Sequence, residues 1–338
     1  MKKIQLWLAA ASVMMMTAAC SSEANEPVQP AQEKASVEFT VNLDGIESRA
    51  NGDGTTADQL IFAVFDSEGN ELAALRQNDV AVTGREATVK TSVARGQNYT
   101  FVFWAQKKVG ENLNDNGFYN TTNLKDVVVS YAGYANDENR DAFTQVVALN
   151  NVTDDINQTV YLHRPFAQID FICDLDEWKK LHSSNYKLIG SDLTIDGGAY
   201  THLNLLTGEA TQPTAVSDSF TLQLSDYYKK HNKSTYDFCG FITSKTGTDQ
   251  YQDLFTTESD DMFWLSMNYI LATPEITKLP NAEMKIYAFG LPDKPVKVPV
   301  ENLPIQRNHR TVVTVSNITK LVEVAFEIDP STGGDINY

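Results

Sequence analysis

Thr311-Val312-Val313-Thr314-Val315-Ser316 and, a short way on, Val322-Glu323-Val324-Ala325-Phe326-Glu327-Ile328-Asp329 decide the fold class of this chain. The first stretch is dominated by β-branched residues, which suit an extended backbone. In the second, Val322, Val324, Phe326 and Ile328 fall on one side, and Glu323, Ala325, Glu327 and Asp329 on the other. Such period-two alternation predicts a strand with one dry face. Pro330, Gly333 and Gly334 end it. Residues 311–329 therefore read as a two-part β-arm. Arg307 and Arg310, which flank Asn308-His309 just before it, read as loop caps paired with acidic neighbours.

The same signature recurs through the chain. Val37, Phe39, Val41 and Leu43 alternate with polar residues, and a Gly-rich loop containing Arg49 follows. Leu60 to Phe65 is apolar without alternation, which predicts a strand buried on both faces. Asp66 to Asn70 has the composition of a hairpin turn. Ala87, Val89, Thr91 and Val93 alternate, Tyr99 to Ala105 is an aromatic-rich strand, and Asn157 to Leu162 closes the first half. After Arg164-Pro165, strands are expected at Phe166 to Leu175, Lys187 to Ile195, Phe220 to Leu224, Phe238 to Ile242, Met262 to Leu271 and Met284 to Phe289. The one candidate helix is Asp176 to Leu181, with acids first and bases later. Short strands separated by turns predict an all-β chain of two tandem β-sandwich domains, 36–162 and 163–338.

A chain of 338 residues with 42% apolar content is long enough for two such cores. Its formal net charge of −17 argues against nucleic acid and anionic membranes as partners, since both demand concentrated Lys and Arg. Lys2-Lys3 and the apolar run to Ala19 read as a signal peptide over 1–19. Thr17-Ala18-Ala19-Cys20 resembles a bacterial lipobox, with Cys20 as the residue to be acylated. Residues 20–35, rich in Pro, Glu and Gln, read as a flexible tether. Cys173 and Cys239 both sit in apolar runs; two buried thiols and one disulfide are both open.

Nothing in the sequence carries a recognisable reaction. The five histidines are scattered without a zinc-binding spacing, and no nucleophile elbow, phosphate loop or dinucleotide fingerprint occurs. The expectation is a protein that is not an enzyme and takes no cofactor or metal. The acidic pairs Asp154-Asp155 and Asp260-Asp261, and Asp53 beside Gly54, lack a spaced ligand series and read as solvated loops. Trp104 and Trp264 lie in apolar strand runs, leaving Trp178 as the one tryptophan suited to an exposed sugar platform.

Arg307-Asn308-His309-Arg310-Thr311 followed by the alternating strand, Leu162-His163-Arg164-Pro165-Phe166-Ala167-Gln168-Ile169, and the lipoprotein-type N-terminus together resemble the type V pilins, the fimbrillins of the Bacteroidia. That resemblance implies tandem transthyretin-like, Greek-key β-sandwiches and a subunit of a surface fimbria that supports cell adhesion. It further implies export as a lipoprotein to the outer membrane and cleavage by a protease that cuts after Arg, here between Arg49 and Ala50. The strand of Val37, Phe39, Val41 and Leu43 would then be lost. The strand of Val322, Val324, Phe326 and Ile328 from another copy, or from a related pilin, would replace it. Two other readings stand beside this one: both strands stay in their own domains, or the chain is a surface lipoprotein that binds glycans and never polymerises. Replacing Cys20 with Ala is expected to abolish metabolic palmitate labelling and leave the precursor uncut; unchanged labelling would exclude the lipobox.

Overall fold

The computed structural model describes residues 33–43, 56–131, 138–174, 176–177, 187–222, 262–289, 296–318 and 323–329. The layering is set by β2 (Gln59–Phe65), every residue of which is buried. Its unbroken apolar run leaves no polar face, so each side must meet a core. Leu60, Phe62 and Val64 enter one hydrophobic cluster, and Ile61, Ala63 and Phe65 enter another. β2 lies in an antiparallel sheet with β3 (Gln77–Ala81), β5 (Tyr99–Gln106) and β8 (Ala142–Leu149), in the order β3-β2-β5-β8. The turn after β2 forms as its composition predicts: Asp66 Oδ1 accepts from the backbone N–H groups of Glu68 and Asn70, and Gly69 takes φ 77°.

Over one face of that sheet lies a three-stranded sheet of β4 (Glu86–Ala94), β1 (Lys34–Leu43) and β9 (Ile156–Leu162). β1 is the middle strand, antiparallel to β4 and parallel to β9. Its alternation is realised in full, with Val37, Phe39, Val41 and Leu43 all buried. The Phe39 ring stands edge-on to Phe101 and Phe103, with centroids 5.1 and 5.2 Å away.

The other face of β2 and β5 meets the second half of the chain, where Trp104 packs with Tyr119, Phe166 and Phe171 in one cluster. Trp104 is a core residue, as its sequence context predicts, and its indole N–H donates to Gln106 Oε1 at 2.8 Å. In this half β10 (Phe166–Asp174) lies between β13 (Met262–Leu271), antiparallel, and β16 (Arg310–Ser316), parallel; β17 (Glu323–Asp329) follows at the edge against β16. The remaining sheet runs β15 (Val296–Ile305), β14 (Thr277–Phe289), β11 (Lys187–Leu203), β7 (Val127–Val129), β6 (Tyr119–Asn120), and β12 (Ala210–Leu222) also pairs with β11. β6 and β7 belong to the first half of the sequence yet join this sheet, so the halves share backbone hydrogen bonding as well as core.

Residues 311–329 are divided between two roles. β16 is an integral strand whose Thr311, Val313 and Val315 are buried, whereas β17 is hydrogen-bonded to β16 alone among the described strands. The helix at residues 176–181 is described only over Asp176 and Glu177; Trp178 and residues 238–242 lie outside the described residues. Cys173 is a buried free thiol whose pKa burial pushes up, and Cys239 lies outside the described residues.

Because Phe39 has no exposed surface and its ring is held by two others, Phe39→Ala is expected to destabilise the protein by about 3–5 kcal/mol. Urea titration followed by tryptophan fluorescence measures this directly, as a lowered midpoint.

Candidate assembly site

Among the residues expected to act in assembly, β1 is the one fully described element. It pairs with β4 from Lys34↔Ala94 to Asn42↔Glu86 and with β9 from Val37↔Ile156 to Leu43↔Leu162. Beyond those ladders, Ser36 N–H donates to Asp155 Oδ1 at 3.0 Å and Leu43 N–H to the Arg85 carbonyl at 2.9 Å. The ion pair of Lys90 with Glu38 on the outer face is solvent-exposed and adds little. What holds β1 is therefore two backbone ladders and four apolar side chains in a closed core. Full burial of such side chains is worth about 1.5–3 kcal/mol each, gross.

β17 is the opposite case. Its alternating sequence forms a strand, but Val324 remains 36% exposed and Ala325 is also exposed, with Ile328 half-buried. Among the described residues of the face that alternation marks as dry, Val324 is thus left partly open and Ile328 is half covered. Phe326 lies in β17, but its side chain is outside the described residues, as are Val322, Cys20, Arg49 and Ala50. β1 and β17 occupy different sheets, so within one subunit the structure does not bring them together.

Between the halves sits a polar node that sequence reading did not find. Arg164 grips Asp141 with two parallel N–H···O bonds, Nε to Oδ1 and Nη2 to Oδ2, both 2.7 Å, and its guanidinium lies 4.7 Å from the centre of the Phe143 ring. Both partners of the pair are buried. Nearby the Tyr119 hydroxyl donates to the Arg140 carbonyl, and the Tyr131 hydroxyl donates to the Tyr200 carbonyl while accepting from Leu271 N–H. Burial raises the pKa of both tyrosines, so they stay neutral donors. Arg164 stood out in the sequence only as part of a resemblance, and Asp141 read as the end of a polar loop; their separation of 23 residues carries no pattern.

Arg307 is oriented by two backbone carbonyls: Nε donates to the Ala272 carbonyl at 2.8 Å and Nη2 to the Gly208 carbonyl at 2.7 Å. It ties two connections of the second half together.

Fold and site define an all-β protein of stacked sheets, with an early strand held centrally and a late strand held at an edge. The chain belongs to DUF6562, a family of unknown function, whose model matches residues 29–338. A search of curated proteins finds no match. Similar solved structures include the tip fimbrial protein Mfa3 from Porphyromonas gingivalis with a C-terminal truncation, at 11% identity and a TM-score of 0.44 over 88% of this chain and 99% of that one. Another is a fimbrial assembly protein from Parabacteroides distasonis, at 10% identity and a TM-score of 0.42 over 87% of this chain and 96% of that one. No residue of this chain takes a role from either.

Removing the carboxylate charge that faces Arg164 leaves a buried guanidinium poorly compensated. Asp141→Asn is expected to cost about 3–5 kcal/mol in equilibrium unfolding. Glu38→Gln, which breaks only the exposed pair with Lys90, is expected to cost about 0–1 kcal/mol.

Proposed function

We propose that this chain is a structural subunit of a surface fimbria, polymerised by replacement of β1 with a strand from a neighbouring subunit. The observation that carries the reading is the position of β1. A middle strand, once removed, leaves β4 and β9 facing each other across an empty lane of unpaired backbone groups, floored by the pockets of Val37, Phe39, Val41 and Leu43. That combination is what strand addition needs: main-chain donors and acceptors for affinity and alternate pockets for register. The span of β1 along β9, Val37–Leu43, and the strand β17, Glu323–Asp329, are each seven residues long. β17 offers an apolar face that its own subunit leaves partly open at Val324.

In this reading residues 1–19 are removed as a signal peptide, Cys20 carries the lipid that brings the subunit to the outer membrane, and residues 20–33 tether it there, two fewer than composition marks out because Lys34 and Ala35 already belong to β1. The domains divide at 162/163 in sequence, with β6 and β7 of the first lent to a sheet of the second. Cleavage after Arg49 separates lipid and β1 from the rest of the subunit, and the strand of Val322, Val324, Phe326 and Ile328 from the next copy enters the lane. The processing protease and other pilin copies are the partners, and the finished fibre supports adhesion at the cell surface.

Limited trypsin digestion is expected to cut first after Arg49 and give a product beginning at Ala50. That product then forms oligomer ladders resistant to mild SDS, because release requires breaking a whole ladder at once. Phe326→Asp is expected to abolish the ladders, since a carboxylate would enter an apolar pocket, while Glu327→Lys leaves them largely intact. Cleaved wild-type protein that stays monomeric at high concentration would sink the proposal.

A further inference from the structure

β1 and β17 carry one pattern. Val37-Glu38-Phe39-Thr40-Val41 and Val324-Ala325-Phe326-Glu327-Ile328 each set a single aromatic residue between β-branched residues two positions to either side. In the lane of β1 the aromatic position is the most demanding. Phe39 has no exposed surface, and its ring lies against Phe101, Phe103 and Phe62, with centroids 5.1, 5.2 and 6.3 Å away. Those three rings are fully buried and belong to β2 and β5, outside the segment that strand replacement removes.

That pocket sets a register. With Phe326 in the place of Phe39, Val324 takes the place of Val37 and Ile328 that of Val41. A slip of two residues keeps the same face inward, but it puts Val324 or Ile328 among three rings and leaves a void there. It also drives Phe326 into a site shaped for valine. Voids and overpacking both destabilise a close-packed core. In either strand direction, one register fills all three sites.

The backbone sets the direction. β1 is antiparallel to β4 and parallel to β9. The two ladder types space their hydrogen bonds differently, so β4 and β9 are staggered for a strand that runs as β1 runs. A reversed strand would exchange the ladder types and require both neighbours to shift. Leu43 N–H donates to the Arg85 carbonyl, which marks the odd-numbered positions of β1 as those bonded to β4. Glu38 and Lys90 are therefore directly opposed without mutual backbone bonds, the closer kind of antiparallel pair, and their side chains meet at 3.0 Å.

We propose that the pocket of Phe39 is the specificity determinant of assembly. It selects a strand with one aromatic residue flanked at two-residue spacing by β-branched ones. It seats β17 of a second copy in the direction of β1, with Phe326 among Phe62, Phe101 and Phe103. This rests on the strand-replacement reading and adds to it a partner chemistry, a direction and a register. In that register Ala325 stands opposite Lys90, Glu323 opposite Ser92 and Glu327 opposite Thr88.

Disulfide trapping reads the register directly. Chain cut after Arg49 and carrying Lys90→Cys is mixed, under mild oxidation, with uncut chain carrying Glu323→Cys, Ala325→Cys or Glu327→Cys. Lys90 and Ala325 are both exposed, so neither substitution disturbs a core. The Ala325→Cys donor is expected to give a covalent pair of chains, lost on reduction, in at least about tenfold higher yield than the other two. Directly opposed Cα atoms about 4.5 Å apart suit a disulfide, whereas diagonal neighbours about 7–8 Å apart do not. Phe326→Val, added to each donor, leaves three similar β-branched residues and is expected to spread the cross-link over all three positions. Cross-linking through Glu323→Cys or Glu327→Cys in place of Ala325→Cys, or a pattern unchanged by Phe326→Val, would overturn the proposal and leave strand replacement standing. An absence of oligomers from cut wild-type chain would sink strand replacement itself, and the register with it.

Discussion

A three-stranded sheet has one middle strand, and here that strand is β1. β4 and β9 do not pair with each other in this structure; β1 supplies the ladder on both of their inner edges. Its apolar face supplies one side of the core whose other side is Leu60, Phe62, Phe101 and Phe103. Everything on that face of the central sheet is therefore conditional on a ten-residue segment near the start of the chain. An edge strand would be optional, because its loss removes one ladder. Loss of a middle strand removes two and opens the core, so the state without β1 stays compact only if something else fills the lane.

The two halves repeat one device. In each, the first strand pairs in parallel with a strand near the end of that half: β1 with β9, and β10 with β16. Parallel pairing over such sequence distance closes each half on itself and requires much of the chain to be collapsed before it forms. β17 lies outside that scheme. It adds to β16 after the second half is already closed, on an edge with no further described neighbour. One half thus rests on a strand that comes from the far side of a loop, and the other carries a strand that its own closure does not need.

The strands with a clear period were legible in the sequence: β1, β4 and β5, the doubly buried β2, and β9, β10 and β13. β15 was not: it contains Pro299 and Pro304, which cannot donate to a ladder, and proline is tolerated there because an edge strand needs N–H donors on one side only. β8 was hidden by its mixed burial, since a strand half-covered on both faces shows no alternation. Of the candidate site, the knobs of β1 were legible and their central position was not, because period two reports which face is apolar and not how many neighbours a strand has. The same limit applies to Val324: alternation marked its face as apolar, while its 36% exposure depends on what the fold places over it. The pairing of Asp141 with Arg164 is a product of tertiary proximity and leaves no trace in spacing.

Charge sets the terms on which copies of such a chain meet. At a net charge of −17, two subunits repel at long range, and physiological salt screens that repulsion beyond about 8 Å. Attraction therefore has to come from contacts shorter than the screening length and numerous enough to outweigh it. Backbone ladders and apolar side chains in pockets act at contact distance and are insensitive to net charge. The acidic residues of β17, Glu323, Glu327 and Asp329, alternate with its apolar ones, so in the proposed assembly an inserted β17 would keep its carboxylates on the face opposite the pockets. A register slip of one residue would drive those carboxylates into the core, so in that assembly charge would guard register while the apolar face supplied affinity.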